Sequence, residues 1–112
     1  GYVNRGILFL FTKKYDEALA DFNKAIELNS NFAESHYHQG LVYYNLKRYD
    51  EAITGYTKAI KLRPYYAEAY YNRGMAQIFE GRTDSGCDDL YRAEDFGLEK
   101  ATIKIEYFCY SK

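Results

Sequence analysis

The side chains that could do chemistry in this chain are few. The only histidines are His36 and His38, and the only cysteines are Cys87 and Cys109. Two residues apart on a helix, the two imidazoles point to different sides, and no nucleophile or carboxylate lies at a catalytic spacing from either. Two cysteines are too few for a zinc site, which needs four ligands. Without a phosphate-binding loop, a His-Glu metal motif or a nucleophile elbow, the sequence predicts neither an enzyme nor a bound cofactor.

Charge and hydropathy exclude two further classes of function. The chain carries 15 Lys and Arg against 16 Asp and Glu, for a formal net charge of −1. A nucleic-acid binder needs a clustered excess of cations to displace counterions, and this chain has no basic stripe. The longest apolar run, residues 7–11, is far shorter than the roughly 20 residues of a membrane-spanning helix. We therefore expect neither nucleic-acid binding nor insertion into a membrane.

An internal repeat organises the elements that carry these residues. The segments Tyr-Val-Asn-Arg-Gly, His-Tyr-His-Gln-Gly and Tyr-Tyr-Asn-Arg-Gly place glycines at Gly6, Gly40 and Gly74, a period of 34 residues (40 − 6 and 74 − 40). The segment Tyr-Asp-Glu-Ala recurs in step at residues 15–18 and 49–52. Apolar residues at helical spacing follow each of these points, so each unit is predicted to be a pair of helices. Such hairpins bury their apolar faces only by stacking into an α-solenoid.

The period also predicts the bounds and the packing of the helices. We expect helices near 2–12, 15–28, 33–46, 49–62, 67–80 and 83–96. Small residues should let the two helices of a hairpin approach closely, and the expected facing pairs are Gly6 with Ala18, Gly40 with Ala52, and Gly74 with Gly86. Beyond Gly97, apolar residues lie on one face of a seventh helix, which is predicted to cap the stack.

These features resemble the tetratricopeptide repeat (TPR) family in the period, the aromatic-x-x-x-Gly opening, the Tyr-Asp-Glu-Ala step and the join at Pro64. The resemblance covers roughly residues 2–98. It implies an all-α fold, an α-solenoid of three antiparallel helix hairpins with a seventh capping helix. The expected units of a single TPR domain over residues 1–112 are repeat 1 (2–32), repeat 2 (33–66), repeat 3 (67–97) and the capping helix (98–110). Because no polar cap precedes the first repeat, we expect the chain to be a fragment of a longer protein.

The resemblance further implies that the first helix of each hairpin lines a concave groove. This groove would bind a peptide or a protein surface without catalysis, with tyrosines supplying apolar contact at little entropic cost. The expected lining residues are Asn4, Ile7, Phe11, Tyr37, His38, Leu41, Tyr44, Asn45, Tyr71, Asn72, Met75 and Phe79. Asn4, His38 and Asn72 fall where TPR grooves often use Asn to bind a peptide backbone. The alternative function is a structural spacer, or a self-associating segment of a longer repeat array.

One class of partner is disfavoured by the residues in the groove. TPR domains that clamp the acidic C-terminal tails of heat-shock chaperones present Lys, Arg and Asn at defined positions of their first helices. The matching positions here are Val3, Ile7, His38, Glu68 and Asn72. These positions hold no Lys or Arg, and Glu68 would repel a carboxylate. We therefore predict that the chain is not a chaperone-tail clamp, and the identity of its protein or peptide partner stays open.

Two polar pairs are predicted inside the hairpins. Arg5 and Arg73 stand just before repeat glycines, and the aligned positions on the second helices hold Asp21 and Asp89. In the middle repeat both positions change together, to a neutral Gln and a Gly. This covariation favours intra-repeat pairs Arg5–Asp21 and Arg73–Asp89 with bidentate hydrogen bonds. The alternative is an anion-binding role for the arginines.

Two interpretations of the cysteines remain open. Cys87 and Cys109 occupy slots that apolar residues fill in the earlier units, so both are expected to behave as small buried hydrophobes in a cytoplasmic protein. Alternatively they form a disulfide that ties the capping helix to the last hairpin, which implies a periplasmic or exported protein. The Gly-Cys-x-Asp-Leu stretch at 86–90, with a Cys near the C-terminus, is similar to the final repeats of some bacterial, often exported, TPR proteins.

Overall fold

The computed structural model describes residues 1–110, which form seven α-helices and no strand. In chain order the helices are α1 (Tyr2–Phe11), α2 (Tyr15–Leu28), α3 (Ala33–Asn45), α4 (Tyr49–Leu62), α5 (Ala67–Phe79), α6 (Thr83–Asp95) and α7 (Lys100–Cys109). The first six helices end within one residue of the predicted bounds. The predicted domain extends to residue 112, and its last two residues lie outside the described part. The all-α solenoid predicted from the period is confirmed.

The helices pack as three hairpins, α1–α2, α3–α4 and α5–α6, with α7 packed against α6 at one end. The stack measures 44 × 24 × 20 Å. Its core consists mainly of second-helix side chains: Ala18, Phe22, Ala52, Tyr56 and Leu90 have no exposed surface. None of the helices within residues 1–110 combines the length and the apolar character needed to cross a membrane.

The turn inside each hairpin has the same geometry in all three repeats. Lys13 and Lys47 have φ of 61°, and Gly81, at the equivalent position, has φ of 84°. The amide of the next residue donates to a carbonyl five residues earlier, with an N–O distance of 2.8 Å in each hairpin. This hydrogen bond satisfies one of the last carbonyls of the helix. Only glycine adopts this left-handed conformation without strain, so the two lysines hold a conformation that costs about 1–2 kcal/mol.

The repeat glycines lie where two helices meet closely. A Cβ on Gly74 would lie 2.7 Å from the Gly86 carbonyl oxygen, and one on Gly40 would lie 3.1 Å from the Ala52 carbonyl oxygen. In the first two hairpins an aromatic ring lies closest to the glycine, and the Tyr56 ring is 3.0 Å from a Cβ added to Gly40. The atoms nearest to Gly6 belong to the Phe22 ring, at 2.7 Å from an added Cβ, rather than to the predicted Ala18. A flat ring covers the glycine there and takes the space that a backbone contact fills in the third hairpin.

Candidate functional site

The first helices of repeats 1 and 2 enclose a pocket on the predicted groove. It has a volume of about 300 Å³ and is bounded mostly by apolar side chains. Its lining residues are Ile7, Leu10, Phe11, Lys13, Tyr15, His38, Leu41 and Asn45. The structure thus brings five of the predicted groove residues, from α1 and α3, to one place. Phe11 is 81% exposed, so a large aromatic side chain at the pocket mouth contacts mainly solvent.

His38 is a hydrogen-bond acceptor held within this pocket. Its Nδ1 lies 2.7 Å from the backbone oxygen of Glu34. Because a carbonyl can only accept, Nδ1 carries the proton, and Nε2 of the neutral ring is left as an acceptor. The ring packs near Phe22 and Tyr37, with centroids 5.7 Å and 5.2 Å away. Burial lowers the pKa of His38, which keeps the imidazole neutral at physiological pH.

A hydrogen bond joins repeats 2 and 3 in the middle of the groove. Asn72 Nδ2 on α5 donates to the Tyr37 hydroxyl on α3 at 3.0 Å. Burial raises the pKa of Tyr37 to about 12, so its hydroxyl stays protonated at neutral pH. This contact uses one N–H of the Asn72 amide, which leaves the second N–H, the amide oxygen and the proton of the Tyr37 hydroxyl for a ligand.

An aromatic row continues from α3 to the capping helix. Tyr44 lies 5.6 Å from Tyr49 and 6.3 Å from Phe79 between ring centroids, and Phe79 lies 6.5 Å from Phe108. Phe79 is 49% exposed, whereas burial raises the pKa of Tyr44 to about 12. Sequence reasoning missed Tyr49 and Phe108 as parts of this surface, along with Lys13 and Tyr15 of the pocket. The groove prediction used only positions on the first helix of each hairpin, whereas these residues lie beside hairpin turns or on the capping helix.

Two predicted lining residues lie elsewhere. Met75 is only 4% exposed and packs in a cluster with Leu90 and Ile105, so the prediction that it lines the groove is wrong. The physical reason is the capping helix, whose Ile105 covers that position of α5. Asn4 is exposed and borders shallow pockets beside Tyr2 at the start of α1, apart from the His38 pocket.

Carboxylates and aromatic rings line the edge formed by the start of α3 and α5. Glu34 forms an ion pair with Arg63, whose guanidinium carbon lies 4.4 Å from the ring centroid of Tyr66. Burial raises the pKa of Glu34, but hydrogen bonds from Arg63 and the backbone outweigh it and leave the pKa below its usual value. The second carboxylate oxygen of Glu34 is buried without a hydrogen-bond partner. Glu68 is exposed.

A cation from the capping helix lies on a neighbouring ring. Lys100 Nζ lies 4.7 Å from the ring centroid of Tyr71, a predicted groove residue on α5. A lysine ammonium over an aromatic face is a favourable electrostatic contact. Nowhere in residues 1–110 do three His, Cys, Asp or Glu side chains cluster in a way that would hold a metal ion.

The hairpin pairs lie away from the groove, between first and second helices. Arg5 donates to both oxygens of Asp21 at 2.8 Å and 2.7 Å, and Arg73 donates to both oxygens of Asp89 at 2.7 Å and 2.9 Å. Gln77 also donates to Asp89 at 2.6 Å. Both arginines therefore have an aspartate partner in the structure.

The two cysteines are joined in the structure. Cys87 on α6 and Cys109 at the end of α7 form a disulfide, with their Cα atoms 6.0 Å apart. Cys87 is 7% exposed and lies in the core of the third repeat. The bond closes the capping helix onto the last hairpin.

Comparison with known proteins places this geometry in a family. A family model described as TPR repeat matches residues 12–47 and 40–78, which together span more than half of the chain. The chain belongs to the TPR family. Membership makes it a protein-interaction module of the helical-repeat type. Comparison with curated proteins finds no significant match.

Solved structures with this fold include TPR domains bound to peptides. MamA is 29% identical with a TM-score of 0.82, and the match covers 90% of this chain but only 59% of the MamA chain. The second TPR of Spaghetti (RPAP3), bound to the HSP90 peptide SRMEEVD, is 25% identical with a TM-score of 0.83, covering 85% of this chain and 88% of that one. The Arabidopsis OM64 TPR domain has a TM-score of 0.93 over 99% of this chain and 93% of its own, but at 19% identity it shows the fold alone.

Proposed function

We propose that this TPR module is non-catalytic and binds a peptide or protein segment in the groove formed by α1, α3 and α5. The observation that carries the proposal is the pocket between α1 and α3, with Phe11 exposed at its mouth. Exposed aromatic surface beside a concave pocket is typical of an interaction site. The pocket is large enough for one apolar side chain of a partner, which would remove Phe11 from water.

The polar groups of the groove fit this role. His38 and Asn72 each use a nitrogen donor inside the protein and keep an acceptor for the groove. A segment in extended conformation presents backbone N–H groups that need acceptors. These side chains are held in place before a ligand arrives, which lowers the entropic cost of binding.

An acidic chaperone tail is not the partner we propose. The similar RPAP3 domain is bound to an HSP90 peptide that carries adjacent glutamates. In this chain the matching groove positions include Val3, Ile7 and Glu68 in place of clamp cations. A carboxylate ligand would meet Glu68 and no Lys or Arg at these positions.

A pull-down with two matched variants tests the groove. The bait is the chain itself, and the lysate comes from its source organism. Phe11→Ser removes an exposed groove ring, and Tyr65→Ser removes a ring of similar exposure, 75%, in the turn between α4 and α5. Both substitutions replace exposed rings, and circular dichroism checks that both variants keep their helices.

The proposal predicts that a protein captured by the wild type is lost with Phe11→Ser and retained with Tyr65→Ser. Equal capture by all three baits would contradict groove binding, as would loss with Tyr65→Ser alone.

A second candidate function, self-association or a place in a longer array, is favoured by Leu8. This residue is 59% exposed, whereas the side chains at the equivalent positions of repeats 2 and 3, Val42 and Ala76, have no exposed surface. A helix packed against α1 would bury Leu8 in the same way. Light scattering that shows a concentration-dependent dimer, abolished by Leu8→Glu, would support this candidate, and a monomer at all concentrations would exclude self-association.

A further inference from the structure

The capping helix α7 is attached to the rest of the stack at both of its ends. Near its start, Gly97 joins it to α6 with φ of 100°, and an added Cβ there would meet no atom within 4 Å. At its other end, Cys109 is the last residue of α7 and is bonded to Cys87 on α6. A glycine in open space lets the chain change direction without steric conflict. The disulfide therefore fixes the end of the helix that lies far from this hinge.

Between these two attachments α7 buries little of its surface. Of its ten residues, Ala101 and Ile105 are the buried ones. Ile103 and Tyr107 on the outward face are largely exposed. An isolated helix of this length is marginal in water, because its first turn is costly to form. The helix therefore depends on a small packed contact and on the disulfide to keep its place.

This small contact of α7 covers one position of the groove. Ile105 packs against Met75 and Leu90, which leaves Met75 only 4% exposed. In the repeat register Met75 corresponds to Ile7 and Leu41, which are partly exposed and border the pocket between α1 and α3. The same register position is thus open in the first two repeats and closed by α7 in the third.

The two sulfur atoms of the disulfide belong to residues that differ in exposure. Cys87 is 7% exposed, whereas Cys109 is half-buried. A thiolate of a dithiol attacks the Cys109 sulfur and forms a mixed disulfide, while the S–S bond breaks with its electron pair going to Cys87, which takes up a proton. The second thiol of the reductant then loses its proton, bonds to the first reductant sulfur and releases Cys109, which takes up a proton. The protein disulfide is reduced to two thiols, and the dithiol is oxidised to a disulfide.

From these observations we infer that α7 is a redox-controlled cover on the groove. Reduction of the Cys87–Cys109 bond by a dithiol releases the C-terminal end of α7, which moves about Gly97 and uncovers Met75. The oxidised chain offers a partner the pocket between α1 and α3, and the reduced chain offers a groove that extends further along α5. Use of the uncovered surface by a partner rests on the proposed function, whereas the opening is a property of the chain alone.

Hydrogen exchange of the full chain, measured with and without dithiothreitol, tests the opening. Reduction should raise exchange in α7 at least about tenfold and leave exchange in α1 to α4 within about twofold, because those helices belong to the first two hairpins. Mass spectrometry after alkylation confirms that both cysteines are reduced. Circular dichroism checks that the reduced chain keeps its helices.

Met75 reports the cover directly, because it is the only methionine in the chain. Hydrogen peroxide converts an accessible methionine to its sulfoxide, which mass spectrometry detects. Since peroxide also oxidises free thiols, the double variant Cys87→Ser with Cys109→Ser represents the open state. Phe22→Leu weakens the core of the first hairpin with the disulfide intact and controls for lost stability. Met75 should oxidise at least about fivefold faster in the double variant than in wild type, and within about twofold of wild type in Phe22→Leu.

The outcomes separate this inference from the proposed function. The redox inference is overturned if dithiothreitol does not reduce the folded chain, or if exchange in α7 rises no more than exchange in α1 to α4. It is also overturned if Met75 oxidises no faster in the double variant than in wild type or Phe22→Leu. If the double variant does not fold, exchange in the reduced wild type decides.

Groove binding at the α1–α3 pocket is tested on the oxidised chain with Phe11→Ser, so it survives a failure of the redox inference. If α7 opens on reduction and Phe11→Ser retains the captured protein, the cover exists and the proposed groove function fails.

Discussion

The first and third hairpins hold the same Arg–Asp pair in different surroundings. The side chain of Arg5 is 59% exposed and that of Arg73 is 20% exposed, whereas Asp21 and Asp89 are both nearly buried, at 5% and 3%. The bidentate geometry is the same in both hairpins. The two pairs therefore share one geometry and differ in their surroundings, beginning with the exposure of the arginine.

The difference arises from what surrounds each pair. In the third hairpin, Asp89 also accepts hydrogen bonds from Gln77 and Arg92, and Arg73 donates to Thr57 of the preceding repeat. In the first hairpin, Arg5 stacks loosely near the Tyr2 and Phe9 rings, at 5.6 Å and 6.0 Å from their centroids. Water screens an exposed pair, whereas removing one partner of a buried pair leaves a charge that water cannot reach. The same two residue types therefore stabilise the two hairpins unequally.

The third hairpin also carries the disulfide, and breaking that bond should have the largest effect. We expect Cys109→Ser to lower the free energy of unfolding by about 3 kcal/mol, because the bond closes a loop of 22 residues in the unfolded chain. Urea denaturation measures this change. Hydrogen exchange should rise in α6 and α7 and change little in α1 and α2.

The double variant Cys87→Ser with Cys109→Ser serves as the control and should resemble the single variant. Unchanged stability together with unchanged exchange in α7 would show that the bond does not hold the capping helix.

The buried Arg73–Asp89 pair should make the next largest contribution to the free energy of unfolding. We expect Asp89→Asn to lower the free energy of unfolding by about 2 kcal/mol, because Arg73 and Arg92 lose their charged partner while Arg73 stays largely covered. Asp21→Asn, the matched change in the first hairpin, should lower the free energy of unfolding by clearly less. Urea denaturation of both variants at neutral pH makes the comparison.

A pH series sharpens this prediction. The hydrogen bond from Arg5 lowers the pKa of Asp21, although burial opposes it. A lowered pKa in the folded state means that the pair stabilises the fold above the ordinary Asp value of about 4, and that this stability is lost as the pH falls through the folded-state pKa. Wild type and Asp21→Asn should therefore converge in stability at acidic pH. If the difference in unfolding free energy between wild type and Asp21→Asn stays constant down to acidic pH, the Arg5–Asp21 pair does not stabilise the fold through the charge of Asp21.

The smallest effect concerns the turns. Lys13 and Gly81 hold equivalent left-handed positions in the first and third hairpins. Lys13→Gly should stabilise the protein by about 1 kcal/mol, and Gly81→Lys should destabilise it by a similar amount. An added Cβ at Gly81 meets no atom within 4 Å, so the cost there is one of backbone conformation alone. Thermal unfolding measures whether the melting temperature rises for Lys13→Gly and falls for Gly81→Lys. If both variants shift the melting temperature in the same direction, backbone conformation does not explain the effect.

The sequence predicted the helices well because a period of 34 residues constrains every element at once. Bounds agree within a residue for α1 to α6, and helical spacing explains which faces are buried. The repeat pattern was sufficient to predict the helices because each helix contacts mainly its neighbours in the chain.

Side-chain surroundings were less predictable, because they depend on which element covers each position. Met75 occupies a groove position by register, yet the capping helix buries it. Leu8 and Val42 share a register position but differ from 59% exposed to fully buried. The tautomer of His38 and the partner of Asn72 follow from distances that spacing alone does not provide.

The most direct test of groove binding is hydrogen exchange of the wild-type chain with and without the captured partner. The account predicts slower exchange in α1, α3 and α5, and unchanged exchange in α2, α4 and α6. Protection confined to the second helices would contradict it, because the partner would then bind the opposite surface of the solenoid.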